Sequence, residues 1–364
     1  MTVLEITRIL EELAPLHYAE DFDNTGILVG NPEAEVSGVL VTLDTLETVV
    51  EEAIAHNCNL VVSFHPIIFG GLKKLTGSSY VERTVIKAVQ NQIAIYSMHT
   101  ALDNSPKGVN AKICEILGIQ NPKILIPKKG TLKKLTTYVP KSDAEKVRKG
   151  LFAAGAGNIG KYSDCSFNTD GTGSYKANDG ANPAKGQIGQ FHYEEETQIN
   201  VVFSAMNEPR IKTALLKHHP YEEVAYEIYT LDNTDPTIGM GMVGHLKSPM
   251  EEMQFLELIK KKMKASCVRH SELLGKRIQK VAVLGGSGAF AISAAKASGA
   301  HVFITSDVKY HQFYEAENKM VIADIGHYET EQFTKNLLVD YLTKKIPNFA
   351  IRLSESKTNP IKYL

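Results

Sequence analysis

The stretch Asp324-Ile325-Gly326-His327-Tyr328-Glu329-Thr330-Glu331, close to the C-terminus, decides how the chain reads. The apolar run Met320 to Ala323 before it predicts a buried strand and Gly326 breaks that strand. Phe333, Leu337 and Tyr341 then recur at four-residue spacing, as on a helix. His327 and Glu331 thus stand at a strand-to-helix junction. With the first helical turn beginning at His327, the four-residue interval stacks imidazole and carboxylate on one face, where both can reach a single cation. A surface histidine and a first-turn glutamate placed to suit the helix dipole give the same spacing, so partners elsewhere in the chain must decide.

Those partners come from the N-terminal third. Gly38 to Leu43 reads as a strand, Asp44-Thr45 as a helix cap, Leu46 to Ile54 as a helix and Asn59 to Ser63 as a second buried strand, which makes a parallel βαβ unit. That strand ends in Ser63-Phe64-His65-Pro66. After a helix at Tyr80 to Gln90, a third strand, Ile93 to Ser97, ends in Met98-His99-Thr100-Ala101-Leu102-Asp103. Open α/β sheets bind ligands outside the C-terminal ends of their strands. His65, His99 with Asp103, and His327 with Glu331 therefore gather on one edge as candidate metal ligands. His301 to Thr305 is another strand, whose following loop adds Asp307 and His311 as candidate pocket residues. Asp23-Asn24-Thr25-Gly26 reads as a turn leading into a short strand, its residues either lining a site or merely making the turn. Gly285-Gly286-Ser287-Gly288 is only part of a dinucleotide fingerprint, and close strand-helix packing suffices to explain it.

Between these segments the texture changes. Asn121 to Leu135, rich in Pro, Lys and Gly, reads as a crossing between domains, and its lysines as a solvated linker rather than a nucleic-acid patch, because no aromatics interleave them. Two strand-helix-strand rounds follow, the order of a ferredoxin-like sandwich, with Gly171-Thr172-Gly173 between them as a tight turn or a protein contact and Gly239 to Gly244 as the flexible crossing back. His218-His219 is explained by its place at a helix C-terminus. The expected domains are residues 1–127 and 246–364 as two halves of a discontinuous α/β core, and 128–245 as the insert.

The 364 residues carry a formal net charge of -1, with 43% hydrophobic and 22% charged residues, so no overall pull toward nucleic acid or anionic membrane is expected. No secretory signal is visible in Met1 to Leu16, and no apolar stretch approaches the roughly 20 residues of a membrane span. Cys58, Cys114, Cys165 and Cys267 form no CxxC pair. A cytoplasmic protein is expected.

With Ser63 to Pro66, His99 to Asp103 and Asp324 to Glu331 together, the chain resembles the Nif-three-like dinuclear metal proteins, often labelled GTP cyclohydrolase type-two homologues. The resemblance covers nearly the whole chain. It implies an α/β core interrupted by an insert similar to the CutA and PII signalling folds. It further implies His65, Asp103, His327 and Glu331 as metal ligands, with Glu331 able to bridge two divalent ions (Zn, or Fe or Mn), and a homohexamer in which inserts associate as trimers. One departure stands out: the family usually has two adjacent histidines before the proline, and here the first is Phe64, which cannot coordinate. His99 or a water is then left to complete the second ion's shell.

Two functions follow as expectations. One is a metal-dependent hydrolase acting on a small anionic nucleotide or phosphate ester, with GTP ring-opening suggested by the family label. The other is a metal-binding oligomeric scaffold or regulatory protein without catalysis.

Overall fold

The computed structural model describes all residues from Met1 to Leu364. Strands β1 (Gly26–Val29), β2 (Val39–Thr42), β3 (Leu60–Ser63), β4 (Ala94–Ser97) and β5 (Gln120–Pro127) precede the insert, which holds β6 (Leu132–Pro140), β7 (Phe167–Lys176), β8 (Phe191–Ser204) and β9 (Tyr226–Thr230). After it come β10 (Gly239–Met250), β11 (Arg269–His270), β12 (Ile278–Ser287), β13 (Val302–Ser306), β14 (Val321–Asp324) and β15 (Ile351–Leu353). Two compact units result, one of Met1–Pro127 with Pro236–Leu364 and one of Lys128–Asp235.

The larger unit contains two sheets, ordered β1-β4-β3-β2-β15 and β11-β14-β13-β12-β10-β5. In the first, β15, β2, β3 and β4 pair in parallel, and in the second β12, β13 and β14 do. Every residue of β2, β3, β4, β13 and β14 is buried, as expected of parallel strands covered on both faces. The helices Glu47–Ala55 and Tyr80–Gln90 supply crossovers in the first sheet, and Val49, Val50, Ala53, Val85 and Ala88 pack with Leu40, Val61 and Ile95. The first helix, Val3–Leu13, starts at a capping box in which Thr2 and Glu5 satisfy each other's backbone N–H groups.

Three expectations give way here. The Pro- and Lys-rich stretch after Ile119 is largely strand: β5 pairs antiparallel with β10 at the sheet edge, where Lys123 and Pro122 can face outward without disturbing a ladder. The glycine-rich segment from Gly239 is likewise part of β10, paired with β5 and β12 in the larger unit, so residues 236–245 do not belong to the insert. Gly239 is required there because a Cβ would meet the Ile126 carbonyl at 2.1 Å. Finally, the helix after Gly326 is two helices, His327–Glu331 and Thr334–Lys345, broken at Gln332, whose side chain donates to the Met263 carbonyl. The second helix buries Thr334, Leu338 and Leu342, while Phe333 and Tyr341 of the expected stripe pack, partly buried, against the same core.

The smaller unit has a four-stranded sheet, β7-β8-β6-β9, antiparallel throughout. Gly171-Thr172-Gly173 lies within β7, paired with Glu194 to Glu196 of β8, and is not a turn. The helices Ala144–Ala153 and Glu208–His218 cover one face through Val147, Leu151, Ile211 and Leu215 against Leu135, Val139, Ile199, Val201 and Phe203.

Candidate metal centre

The parallel strands of the larger unit end in polar loops, and these loops form the site. His65 follows Phe64 beyond β3, His99 opens the short helix His99–Asp103 beyond β4, and His327 opens the helix His327–Glu331 beyond β14. Gly326, at φ +98°, turns the chain from strand to helix in a conformation that other residues resist. The four-residue interval then brings His327 Nε2 to 3.2 Å from Glu331 Oε2, and His65 Nε2 lies 3.1 Å from the same oxygen. One donor atom from each of His65, His327 and Glu331 lies within 4.8 Å of the others.

Each histidine of the cluster is held by a carboxylate on its far side. Nδ1 of His65 contacts Asp44 Oδ1, Nδ1 of His99 contacts Asp23 Oδ1 and Nδ1 of His327 contacts Asp307 Oδ2, each at 2.7 Å. A carboxylate on Nδ1 fixes the ring and leaves Nε2 as the free nitrogen, the arrangement found behind histidine metal ligands. Asp44 also accepts from Thr358, Asp23 from Thr100, and Asp307 from Ser287. His99 and Asp307 adopt positive φ, +26° and +56°, a strained backbone for such residues that surrounding bonds must sustain.

The electrostatics are those of a concentrated acidic site. Burial opposes charge on His65, but Asp44 and Glu331 outweigh it and raise its pKa to about 10. In the same way Glu331 and Asp307 raise His327 to about 9. Glu331 is fully buried; its burial is outweighed by His327 and His65, which hold it at about 2. Asp103 is driven well above the ordinary carboxylate range, first by burial and then by the charge of Glu331.

Two buried oxygens, Asp103 Oδ1 and Glu331 Oε2, accept no hydrogen bond. Leaving such atoms unsatisfied in a protein interior is costly. His65 Nε2 and His327 Nε2 lie 3.1 and 3.2 Å from Glu331 Oε2, so three potential donor atoms converge on one point. Nitrogen and carboxylate oxygen with no thiolate suit zinc, iron or manganese, and the residues present fit such an ion.

The remaining candidates separate. His99 stands with its ring 5.4 Å from that of His65, and Asp307 meets the cluster through His327. His311 lies in an exposed group with Tyr310 and Tyr314 and contributes no atom to the cluster. Phe64 is fully buried, its ring 4.9 Å from His65 and 5.6 Å from His99. The sequence marks Asp44 only as a helix cap and leaves Asp23 between a site residue and a turn residue. The helix Glu47–Ala55 has Leu46 at its N-cap with no side-chain bond, and Asp44 instead sits just past the end of β2, the same strand-end position that singled out His65 and His99.

Over residues 1–360 the chain matches the family Duf34/NIF3 (NGG1p interacting factor 3). It is 36% identical over 370 residues to a Bacillus subtilis protein named GTP cyclohydrolase 1 type 2 homolog, covering 99% of this chain and 98% of that one. Among solved structures it is similar to a Bacillus cereus protein related to NIF3, with a TM-score of 0.83 and 36% identity over 100% of this chain and 99% of that one. It is also similar to Staphylococcus aureus protein SA1388, with a TM-score of 0.80 and 28% identity over 100% and 99% of the two chains. With a family match that spans almost every residue and a relative of this similarity along its full length, the chain belongs to the Duf34/NIF3 family.

Proposed function

We propose that the protein is a metal-dependent hydrolase acting on a small anionic molecule, a nucleotide or a phosphate ester. The observation that carries this reading is the convergence of His65 Nε2 and His327 Nε2 on the buried, hydrogen-bond-free Oε2 of Glu331. His65, His327 and Glu331 would hold the first ion, and Asp103, whose buried Oδ1 accepts no hydrogen bond, would complete the set. His99, held by Asp23, is the nitrogen available to a second ion. A bound divalent ion supplies positive charge to a phosphoryl or ring-carbon centre and acidifies water. The chain's own residues do the rest: Asp44 and Asp307 orient the imidazoles, and Asp307, about half exposed and bonded to Ser287 and His327, is placed to exchange protons with a substrate.

The name GTP cyclohydrolase 1 type 2 homolog carried by relatives supports placing GTP in the substrate panel. Nucleotides and phosphoesters assayed with Zn, Mn or Fe should yield turnover that Asp103→Ala abolishes. Rates equal to that variant with every substrate would reject the hydrolase.

A second reading, a metal-binding oligomeric scaffold or regulator, is favoured by Phe64, whose ring occupies a position beside both His65 and His99 where a second ligand would otherwise stand. In either case we read residues 128–235 as a ferredoxin-like, CutA/PII-like insert. Its strand-helix-strand-strand-helix-strand order and its β7-β8-β6-β9 sheet support this. The assembly we propose is a cytoplasmic homohexamer, consistent with four unbridged cysteines and with no helix long and apolar enough to cross a membrane. Light scattering should give a mass near six 40.1-kDa chains, and a monomeric mass would reject it.

A further inference from the structure

Two of the loops that build the metal centre also carry exposed phenylalanines. Phe22 stands next to Asp23, whose carboxylate holds His99 Nδ1, and is 68% exposed. Phe69 lies on the loop that leaves β3 through His65 and is 54% exposed. Single apolar side chains on a surface are ordinary, but these two form a pair set against the candidate ion site. The Phe69 ring meets the His99 ring edge to face at 6.1 Å, and the Phe22 ring lies 6.4 Å from Phe69 with the planes tilted by 57°. His99 in turn has its ring 5.4 Å from that of His65. A row of rings therefore runs outward from the cluster and ends in two bare aromatic faces.

The backbone presents these faces from fixed positions. Asn24 Nδ2 donates to the Ile68 carbonyl at 2.6 Å, which ties the Phe22 loop to the Phe69 loop. Asp23 is locked in place by His99 and by the Thr100 N–H. On the other loop Ile67, Ile68 and Leu72 pack into the core and leave Phe69 turned outward. Beyond it, a Cβ on Gly70 or Gly71 would meet nothing within 4 Å, so that loop leaves open space beside the ring. Rings held in this way lose little freedom when a ligand covers them.

We propose that Phe22 and Phe69 form a base-binding subsite of the metal centre, where an aromatic nucleobase stacks while its phosphate is held at the ion site. This rests on the hydrolase reading for the place of the phosphate, and it narrows the substrate class from phosphate esters in general to nucleotides. Ribose spans the short reach from the histidine cluster to the two phenyl rings. Stacking on a phenyl face suits every base, and the two rings offer no hydrogen-bonding group, so the subsite selects for a planar base without choosing among bases.

The chain has no tryptophan, so Phe22→Trp keeps an aromatic face and supplies a single indole fluorophore. The full-length, metal-loaded protein is titrated with guanosine monophosphate and adenosine monophosphate, and with ribose 5-phosphate as the phosphate that lacks a base. Both nucleotides should quench the indole of Phe22→Trp saturably, and ribose 5-phosphate should not. In calorimetry the wild type should bind the nucleotides roughly tenfold or more tighter than ribose 5-phosphate, and this preference should fall in Phe22→Ala and in Phe69→Ala. Elemental analysis establishes that each variant keeps its metal; Phe22→Ala, one ring further from the cluster, decides the matter if Phe69→Ala loses it. Equal affinity for nucleotides and ribose 5-phosphate in the wild type, absence of quenching, or a base preference that survives both substitutions would overturn the proposal. Failure of the hydrolase reads differently: a base preference that Phe22→Ala removes, with no turnover of any substrate, rejects catalysis and keeps the subsite. A lower mass of Phe22→Ala in light scattering, with no base preference in the wild type, would assign the pair to contact between copies and also overturn it.

Discussion

The carboxylate of Glu331 occupies the space that a side chain on Gly286 would fill: a Cβ there would stand 2.3 Å from Glu331 Oε1. Gly286 also has φ +69°, and its N–H receives no help from its own strand but donates to Thr330 Oγ1 at 2.9 Å. The glycines at the C-terminal end of β12 therefore belong to the candidate metal centre, as the surface against which its central carboxylate rests. Gly286→Ala should displace Glu331 and lower metal affinity at least tenfold. It should also destabilise the metal-free protein by roughly 1–2 kcal/mol through the left-handed backbone alone. Metal titration and denaturant unfolding of the variant measure the two effects separately.

Asp44 and Asp307 touch no ion in this account, yet they hold His65 and His327 by Nδ1. Asp44→Asn and Asp307→Asn should each cost roughly 10–100-fold in metal affinity with the fold retained. Competition with a chromophoric chelator reads this directly, and unchanged affinity in both would remove the carboxylates from the site's construction.

Phe64 lies fully buried beside two imidazole rings. Phe64→His should raise the number of ions bound per chain, because it sets a second nitrogen beside His65 and His99. It should also lower metal-free stability by roughly 1–3 kcal/mol for burying a polar ring. Elemental analysis together with thermal unfolding checks both, and unchanged stoichiometry would show that Phe64 does not limit the second ion.

Glu52 fastens the C-terminal tail. Its carboxylate accepts from the Ser354 and Ser356 hydroxyls at 2.7 and 2.6 Å and from the backbone of Glu355 and Ser356 at 2.8 and 3.1 Å. Partial burial would raise its pKa, but these bonds outweigh it and hold the pKa below the ordinary 4.5. A lowered pKa stabilises the folded state above the unfolded value, and that contribution is lost as pH falls below 4.5 through the folded value. The protection of the 351–358 amides, relative to their free-chain exchange rate at each pH, should therefore fall below pH 4.5 in the wild type. Glu52→Gln should already exchange quickly at pH 7, with a flatter acid response; equal exchange in the two proteins would contradict the fastening.

Much of the site was legible in the sequence because it obeys local rules. His65, His99 and His327 each follow an apolar run, and the four-residue spacing of His327 and Glu331 becomes contact once Gly326 starts the helix. What escaped depends on tertiary placement. Asp44 is an ordinary cap residue, and Asp23 stays undecided between site and turn, until neighbouring strand ends bring histidines to them. Gly286 declares itself only when Glu331 is laid against it. The strands β5 and β10 were obscured because edge position permits Pro122 and Lys123 and close backbone approach demands Gly239, residues that read as linker when met in isolation. His311 illustrates the converse: it follows β13 closely, but at Tyr310–Ala316 the chain turns into a short helix that carries its ring into an exposed tyrosine cluster.

Glu331, with His65 and His327, is proposed to hold a transition metal. Elemental analysis of the purified wild type beside Glu331→Gln and His327→Ala tests it most directly. At least one first-row ion per chain in the wild type, reduced tenfold or more in both folded variants, is the predicted result. Metal content that stays the same in all three proteins would contradict it.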